Sequence, residues 1–211
     1  MSMRVDPTML HAWLTARSLA RGLPAPVADH GGFRVDTNSD AEIRRWVFPH
    51  MVDGLVELAR TINAPGHLLK LCGTEDELRS ALPAGWRLHS QAYFMSAGQS
   101  GVERPLPSGY DIAADRDGAV TAVRIRAGDG ELAASGYAAE ADGVFVYDRI
   151  VTAAAHRRKG LGGALMTALR REKQNRQAPE LLVASEDGRA LYASLGWRTI
   201  SPYNTASVAE I

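Results

Sequence analysis

Three turn signals, Asp117-Gly118, Gly128-Asp129-Gly130 and Asp142-Gly143, divide the middle of the chain into short β-prone runs. Connections this short join only antiparallel neighbours, because a parallel crossover needs about a dozen residues or more. The runs Ala119 to Ala127, Glu131 to Ala139 and Val144 to Thr152, led by Tyr110-Asp111-Ile112, are therefore expected to form a meander. A glycine-rich segment follows, and then a helix from about Gly160 to Gln174 with Leu161, Ala164, Leu165, Ala168 and Leu169 on one face. Strand Leu181 to Ala184, helix Gly188 to Leu195 and strand Trp197 to Ile200 complete the order βββ, loop, αβαβ.

The part before the meander reads as mixed α/β. Asp6 as N-cap, Pro7 in the first turn and Gly22 beyond the end predict a first helix. A short strand is expected near Gly32-Phe33-Arg34-Val35. Ser39-Asp40-Ala41-Glu42 has capping-box spacing and predicts a helix to about Val47, stopped by Pro49. Met51 to Ile62 is apolar-periodic, His67 to Gly73 reads as a strand, Thr74-Glu75-Asp76-Glu77 opens a helix through Leu82, and Trp86 to Met95 returns to strand character. Gly98, Gly101, Pro105 and Pro107 mark Ser96 to Pro107 as a linker. The expected division is a 1–100 N-terminal α/β region and a 107–211 core.

With 211 residues, 45% apolar and 23% charged, the composition is that of a folded, soluble chain. Twenty-four basic against twenty-four acidic residues leave no global field for a nucleic acid or an anionic membrane, so any anion site must be local. No apolar stretch approaches the ~20 residues that span a bilayer, and Met1 to Asp6 lacks a signal-peptide run. A cytoplasmic location without nucleic-acid or membrane partners is the expectation. A lone cysteine, Cys72, permits no intramolecular disulfide and no metal-ligand spacing, so it reads as a small residue in a buried strand and no metal is expected.

The chemistry concentrates in Arg157-Arg158-Lys159-Gly160-Leu161-Gly162-Gly163, between a strand and a helix that begins inside it. Glycines admit positive φ and leave the backbone bare, so consecutive amides can converge on an anion where the helix dipole also favours negative charge. Three adjacent cations reinforce the cradle. It suits a pyrophosphate better than a carboxylate, and the bland reading is a glycine-rich helix start with a solvated basic face. The segment is neither G-x-x-x-x-G-K-[ST] nor a dinucleotide fingerprint, because Leu165 stands where the latter wants a small residue.

Arg157-Arg158-Lys159-Gly160-Leu161-Gly162 resembles the R/Q-x-x-G-x-G/A signature of the GCN5-related N-acetyltransferase (GNAT) superfamily, and Leu191-Tyr192-Ala193-Ser194-Leu195-Gly196-Trp197 resembles its L-Y-x-x-L-G-F segment at the expected distance. The resemblance covers Tyr110 to about Tyr203. It implies a GNAT-like α/β (α+β) acyl-CoA N-acyltransferase fold, a mixed central sheet flanked by helices, with acetyl-CoA as cosubstrate and an amine as acceptor. It implies that Ile150-Val151-Thr152 lines the pantetheine arm, that the amides of Arg158, Lys159, Gly160, Leu161, Gly162 and Gly163 beside Arg157 hold the pyrophosphate, and that Tyr192 is the general acid toward the departing sulfur. The alternative for Tyr192 is a core aromatic.

Two departures stand against the family pattern. Ser185 occupies the place of a frequent asparagine and is at best a substitute contact. No clear general base is present: Asp148 could deprotonate the amine or pair structurally with Arg149, and Glu140 and Glu180 are weaker candidates. There is also no room for the family's two helices before Ala119, so the N-terminal part is expected to supply that layer, as a degenerate second copy or a substrate-shaping subdomain. The other reading of the whole is a non-catalytic acyl-CoA-binding sensor. A homodimer is allowed, and nothing in the sequence requires one.

Overall fold

The computed structural model describes residues 5–98 and 102–209, so the signal-peptide reading of Met1 to Arg4 and residues 99–101 of the expected linker lie outside the described residues. Helix α1 (Pro7–Ala20) starts as its sequence predicts, with the Asp6 carboxylate accepting from the Thr8 amide at 2.7 Å. Next come β1 (Val27–Asp29), β2 (Gly32–Asp36), β3 (Arg44–Phe48), α2 (Asp53–Thr61), β4 (His67–Cys72), α3 (Glu75–Ala81), β5 (Trp86–Leu88) and β6 (Ala92–Ala97). The second half contains β7 (Tyr110–Asp117), β8 (Val120–Ala127), β9 (Leu132–Ala141), β10 (Val144–Thr152), α4 (Leu161–Arg171), β11 (Glu180–Ser185), α5 (Glu186–Ser194) and β12 (Trp197–Val208).

The helix expected from Ser39 to Val47 is absent. The Ser39 hydroxyl accepts from the Glu42 amide and donates to the Glu42 carbonyl, closing a tight turn, and residues 44–48 then run as strand β3. Arg45, Trp46, Val47 and Phe48 are buried on alternate faces between β2 and β4, and that two-sided burial overrides the local helix signal. The equivalent pattern at Thr74 does form a capping box, where the Thr74 hydroxyl accepts from the Glu77 amide at 3.2 Å and the Glu77 carboxylate accepts from the Thr74 amide at 2.6 Å. The expected linker begins inside β6, which extends to Ala97.

Among the described residues the strands form one mixed sheet in the order β1-β2-β3-β4-β12-β6-β11-β10-β9-β8-β7, with β5 joined to β12. Parallel pairing occurs in β3/β4 and β10/β11, bridged by α2 and α4. Between these pairs the chain crosses over: β12 from the second half lies antiparallel to β4, β6 from the first half lies antiparallel to β11, and β6 and β12 pair antiparallel at the centre.

Helices α2 to α5 cover one face. Tyr93 and Met95 of β6 join the core under α4 and α5, while Leu69 and Leu71 of β4 join the core under α2 and α3. Alternation sends Phe94, Cys72 and Tyr203 to the opposite face, where α1 packs its Trp13 and Leu14 against Ala139, Val144 and Val146. Burial pushes the Cys72 thiol well up, consistent with an inert core residue. Helix α1 thus gives the meander the second layer that its own sequence has no room for.

Candidate active site

Strands β10 and β11 pair at Phe145↔Glu180 and Val146↔Leu181 and then part, leaving the β11-facing edge of β10 without a strand partner. On its other side β10 stays bonded to β9 through Val151↔Ser135 and Thr152↔Ala134, past an irregularity at Asp148/Val151 where Arg149 adopts φ +52°. Gly136 on β9 makes room for this path, since a Cβ there would meet Ile150 Cδ1 at 2.5 Å and Leu165 Cδ2 at 3.2 Å.

Beyond the split, Arg157 is extended, Arg158 has φ +61° and Gly160 has φ +84°, so the backbone alternates in hand as it enters α4. This alternation turns successive amides toward one point, and among the described residues no side chain caps the first turn of α4. Gly160 is required here: an L-residue is strained at that φ, and the space beyond it is open, with Pro107 Cγ at 3.7 Å the nearest atom to an added Cβ.

A cavity of about 950 Å³ lies in this opening. It is lined by Ile150, Val151, Thr152, Arg157, Arg158, Gly160, Leu161, Gly162, Gly163, Ser185 and Tyr192 from the residues singled out by sequence. Lys159 and Asp148 are not on its wall. Val151 is 56% exposed, an apolar side chain offered to the opening. Tyr192 is buried in the core beneath α5, its ring 5.9 Å from Trp197, and burial pushes its phenol up to about 12. Ser185 caps α5, accepting from the Gly188 amide at 3.2 Å.

Sequence reasoning gave no site role to His156, Glu186, Asp187, Gly188, Ala190 and Leu191, which also line the cavity. His156 is held by the Tyr110 hydroxyl at 2.9 Å and Glu131 at 3.3 Å. Glu186 accepts a hydrogen bond from Tyr93 of β6, which, with Arg189, lowers its pKa. The first half of the chain therefore touches the rim of the cavity.

Asp148 faces α1 on the other side of the sheet. Arg21 donates to both of its oxygens, at 2.6 and 2.9 Å, and Arg17 and Arg149 stand at 3.6 and 3.4 Å. Burial pushes its carboxyl up, but the Arg21 hydrogen bonds and the three positive charges outweigh that and hold it below its ordinary value. This arrangement favours the structural ion pair over the base. Glu180 is bound by Lys173 and Arg170, both at 3.1 Å, and by the Tyr147 hydroxyl at 2.6 Å, while Glu140 accepts from the Gln174 and Asn175 amides. No group of His, Cys, Asp or Glu able to hold a metal occurs among the described residues, and none of their helices is long and apolar enough to cross a membrane.

A sheet whose parallel pair splays beside an amide nest is the fold of the GCN5-related N-acetyltransferases. The chain superposes on such a protein from Kribbella flavida with a TM-score of 0.66 at 15% identity, covering 98% of this chain and 97% of that one. An acetyltransferase assigned to the GNAT family from Novosphingobium aromaticivorans gives 0.59 at 18%, covering 96% and 97%. A tandem GNAT protein from the clavulanic acid biosynthesis pathway gives 0.50 at 15%, covering 74% and 68%. Residues 112–199 match the family profile described as an acetyltransferase (GNAT) domain. No curated protein sequence matches the chain.

Proposed function

We propose that the chain transfers an acetyl group from acetyl-CoA to a primary amine by direct attack on the thioester. The observation that carries this reading is the convergence of three elements on one cavity: the free edge of β10, the amide nest ahead of α4, and Tyr192. Backbone groups of Ile150 and Thr152 would bond the pantetheine arm as an added strand. Amides from Arg158 to Gly163, with Arg157, Arg158 and Lys159 nearby, would take the pyrophosphate.

In the reaction the amine nitrogen forms a bond to the acetyl carbon, the C–S bond breaks, nitrogen gives up a proton and sulfur gains one. Tyr192 is the donor to sulfur in this scheme, and a phenol raised to about 12 keeps its proton at neutral pH. The amine's proton has no carboxylate assigned to it. Engagement of Asp148 by Arg21 supports a second reading, a non-catalytic acyl-CoA-binding module.

We further propose that residues 1–100 are a degenerate copy of the 107–211 core that also shapes the acceptor side. The matching order strand, helix, parallel strand, helix, exchanged strand in both halves supports this. The expectation that goes with this proposal is a cytoplasmic enzyme that needs no metal.

Titration with CoA, acetyl-CoA and longer acyl-CoAs while following the melting temperature tests the cavity, since a ligand bound only by the folded state raises it. Thiol release from acetyl-CoA with a panel of amines then separates the readings. Binding without amine-dependent release leaves the sensor, and no stabilisation by any acyl-CoA ends both.

A further inference from the structure

On the face of the sheet that carries α1, opposite α4 and α5, lies a group of cations that the cofactor cradle does not use. Arg17 reaches it from α1, Arg21 from the cap at the C-terminal end of α1, Arg45 from β3 and Lys70 from β4. Their charges act on one another: Arg45 and Arg21 both press on Arg17, and Arg45, Arg17 and Arg21 press on Lys70. The carboxylates that act most strongly on them are Asp148 and Glu42. Asp148 is taken up by the two hydrogen bonds of Arg21, and Glu42 pairs with Arg45.

Arg17 shares Asp148 with Arg21, and among the described residues Lys70 pairs with no carboxylate. Arg17 stands 3.6 Å from the already engaged Asp148 and lies over the Trp13 ring, 5.4 Å from its centroid. Lys70 donates to the neutral Thr205 hydroxyl at 3.2 Å. The indole Nε1 of Trp13 is buried with no hydrogen-bond partner among the described residues. Burial, followed by the neighbouring cations, pulls Arg17 down to about 10 and Lys70 to about 7, with Asp148 and Glu42 opposing the shift only in part. Side chains of Arg17 and Arg21 keep 18% and 28% of their surface open, so an anion can reach them.

This cluster borders the split between β10 and β11. Asp148, its anchor, is two residues past the last paired position, Val146. With the cofactor cradle on the α4 side, the α1 side is the one left for an amine approaching the thioester. We propose that the acceptor amine carries an oxyanion, a carboxylate or a phosphate ester, which docks between Arg17 and Lys70 on the α1 face. The assignment rests on the acetyltransferase reading above. The site gives the acceptor's tail a fixed charge to bind and thereby aims its amino group at the opening.

The test compares matched acceptors that differ only in that charge: 4-aminobutyrate against 4-aminobutyramide, and O-phosphoethanolamine against ethanolamine. In the parent protein the anionic member of at least one pair is used with kcat/KM at least about tenfold higher, the lower bound expected for a hydrogen bond to a charged group. Which pair responds separates carboxylate from phosphate. In Arg17→Gln and in Lys70→Met, each checked for native circular dichroism, the preference collapses toward unity through KM. Indifference to charge in both pairs, or a preference that survives both substitutions, overturns the inference. Acetyl-CoA is titrated in parallel by thermal shift. Its failure to bind overturns the acetyltransferase reading and the acceptor role together, while binding with charge-indifferent turnover overturns this inference alone.

Discussion

Strands β3 and β4 stay paired from Arg44↔His67 to Phe48↔Leu71, whereas β10 and β11 part after Val146↔Leu181. The elements around them follow the same order, so the difference lies in what happens at the strand ends. After β3, only Pro49 to Val52 lead into α2, whose Gly54 is pressed against the turn after β1, where an added Cβ would lie 2.1 Å from the His30 carbonyl oxygen. After β10, eight residues (153–160) lead into α4, and Gly160 faces open space. One glycine closes a backbone contact and the other keeps a backbone cradle open. The same residue type at the start of corresponding helices thus serves packing in one half and ligand access in the other.

Substitution at these positions breaks the contrast most directly. Gly160→Asp places a carboxylate at the cradle, and like charges ~4 Å apart at an effective dielectric near 20 repel by about 4 kcal/mol. Acetyl-CoA affinity should fall roughly 10³-fold by equilibrium titration, with the circular dichroism spectrum retained. Tyr192→Phe should lower kcat about 10²-fold, at the low end of general-acid effects, with acetyl-CoA affinity unchanged. Pre-steady-state thiol release is the measurement, and a rate equal to the parent returns Tyr192 to a packing role.

Gly54→Ala has the complementary signature. Overpacking against the His30 backbone should cost about 2–3 kcal/mol in urea unfolding and leave acetyl-CoA affinity alone. The smallest effect belongs to Asp148→Asn, expected to cost about 1 kcal/mol at neutral pH because the pair with Arg21 is partly solvated. Since the folded-state pKa of Asp148 is depressed, its stabilisation is full above the unfolded value near pH 4 and is lost as pH falls through the folded value. The variant should therefore lose less stability than the parent as pH falls below about 4.

What could be read in advance follows the range of the interactions involved. The Asp/Gly turns that delimit the run Val144 to Thr152 are local, and β10 has the expected bounds. Local glycine chemistry likewise marked residues 157–163, which line the cavity apart from Lys159. Ser39 misled because its capping hydrogen bond closes a turn as readily as it starts a helix. Arg21 could not be matched to Asp148, 127 positions away, nor Tyr93 to Glu186, because neither pair leaves a mark in sequence spacing. The length of β12 was underestimated for the same reason, and the single strand expected from Trp86 to Met95 is instead divided into β5 and β6, which pair with different stretches of β12 from the other half.

The exchange of β6 and β12 also fixes the order in which the molecule can be finished during synthesis. Strand β4 waits for Tyr203 to Ser207, more than 130 positions later, before its second edge is filled. Chains stalled on the ribosome before Trp197 should therefore remain protease-sensitive in the first half as well as the second. Until β12 emerges, β4 and β6 each present an unpaired edge, the kind of surface on which strands from different chains find one another. A contact that joins the two halves once the chain is complete is, for most of translation, a vacancy open to the wrong partner.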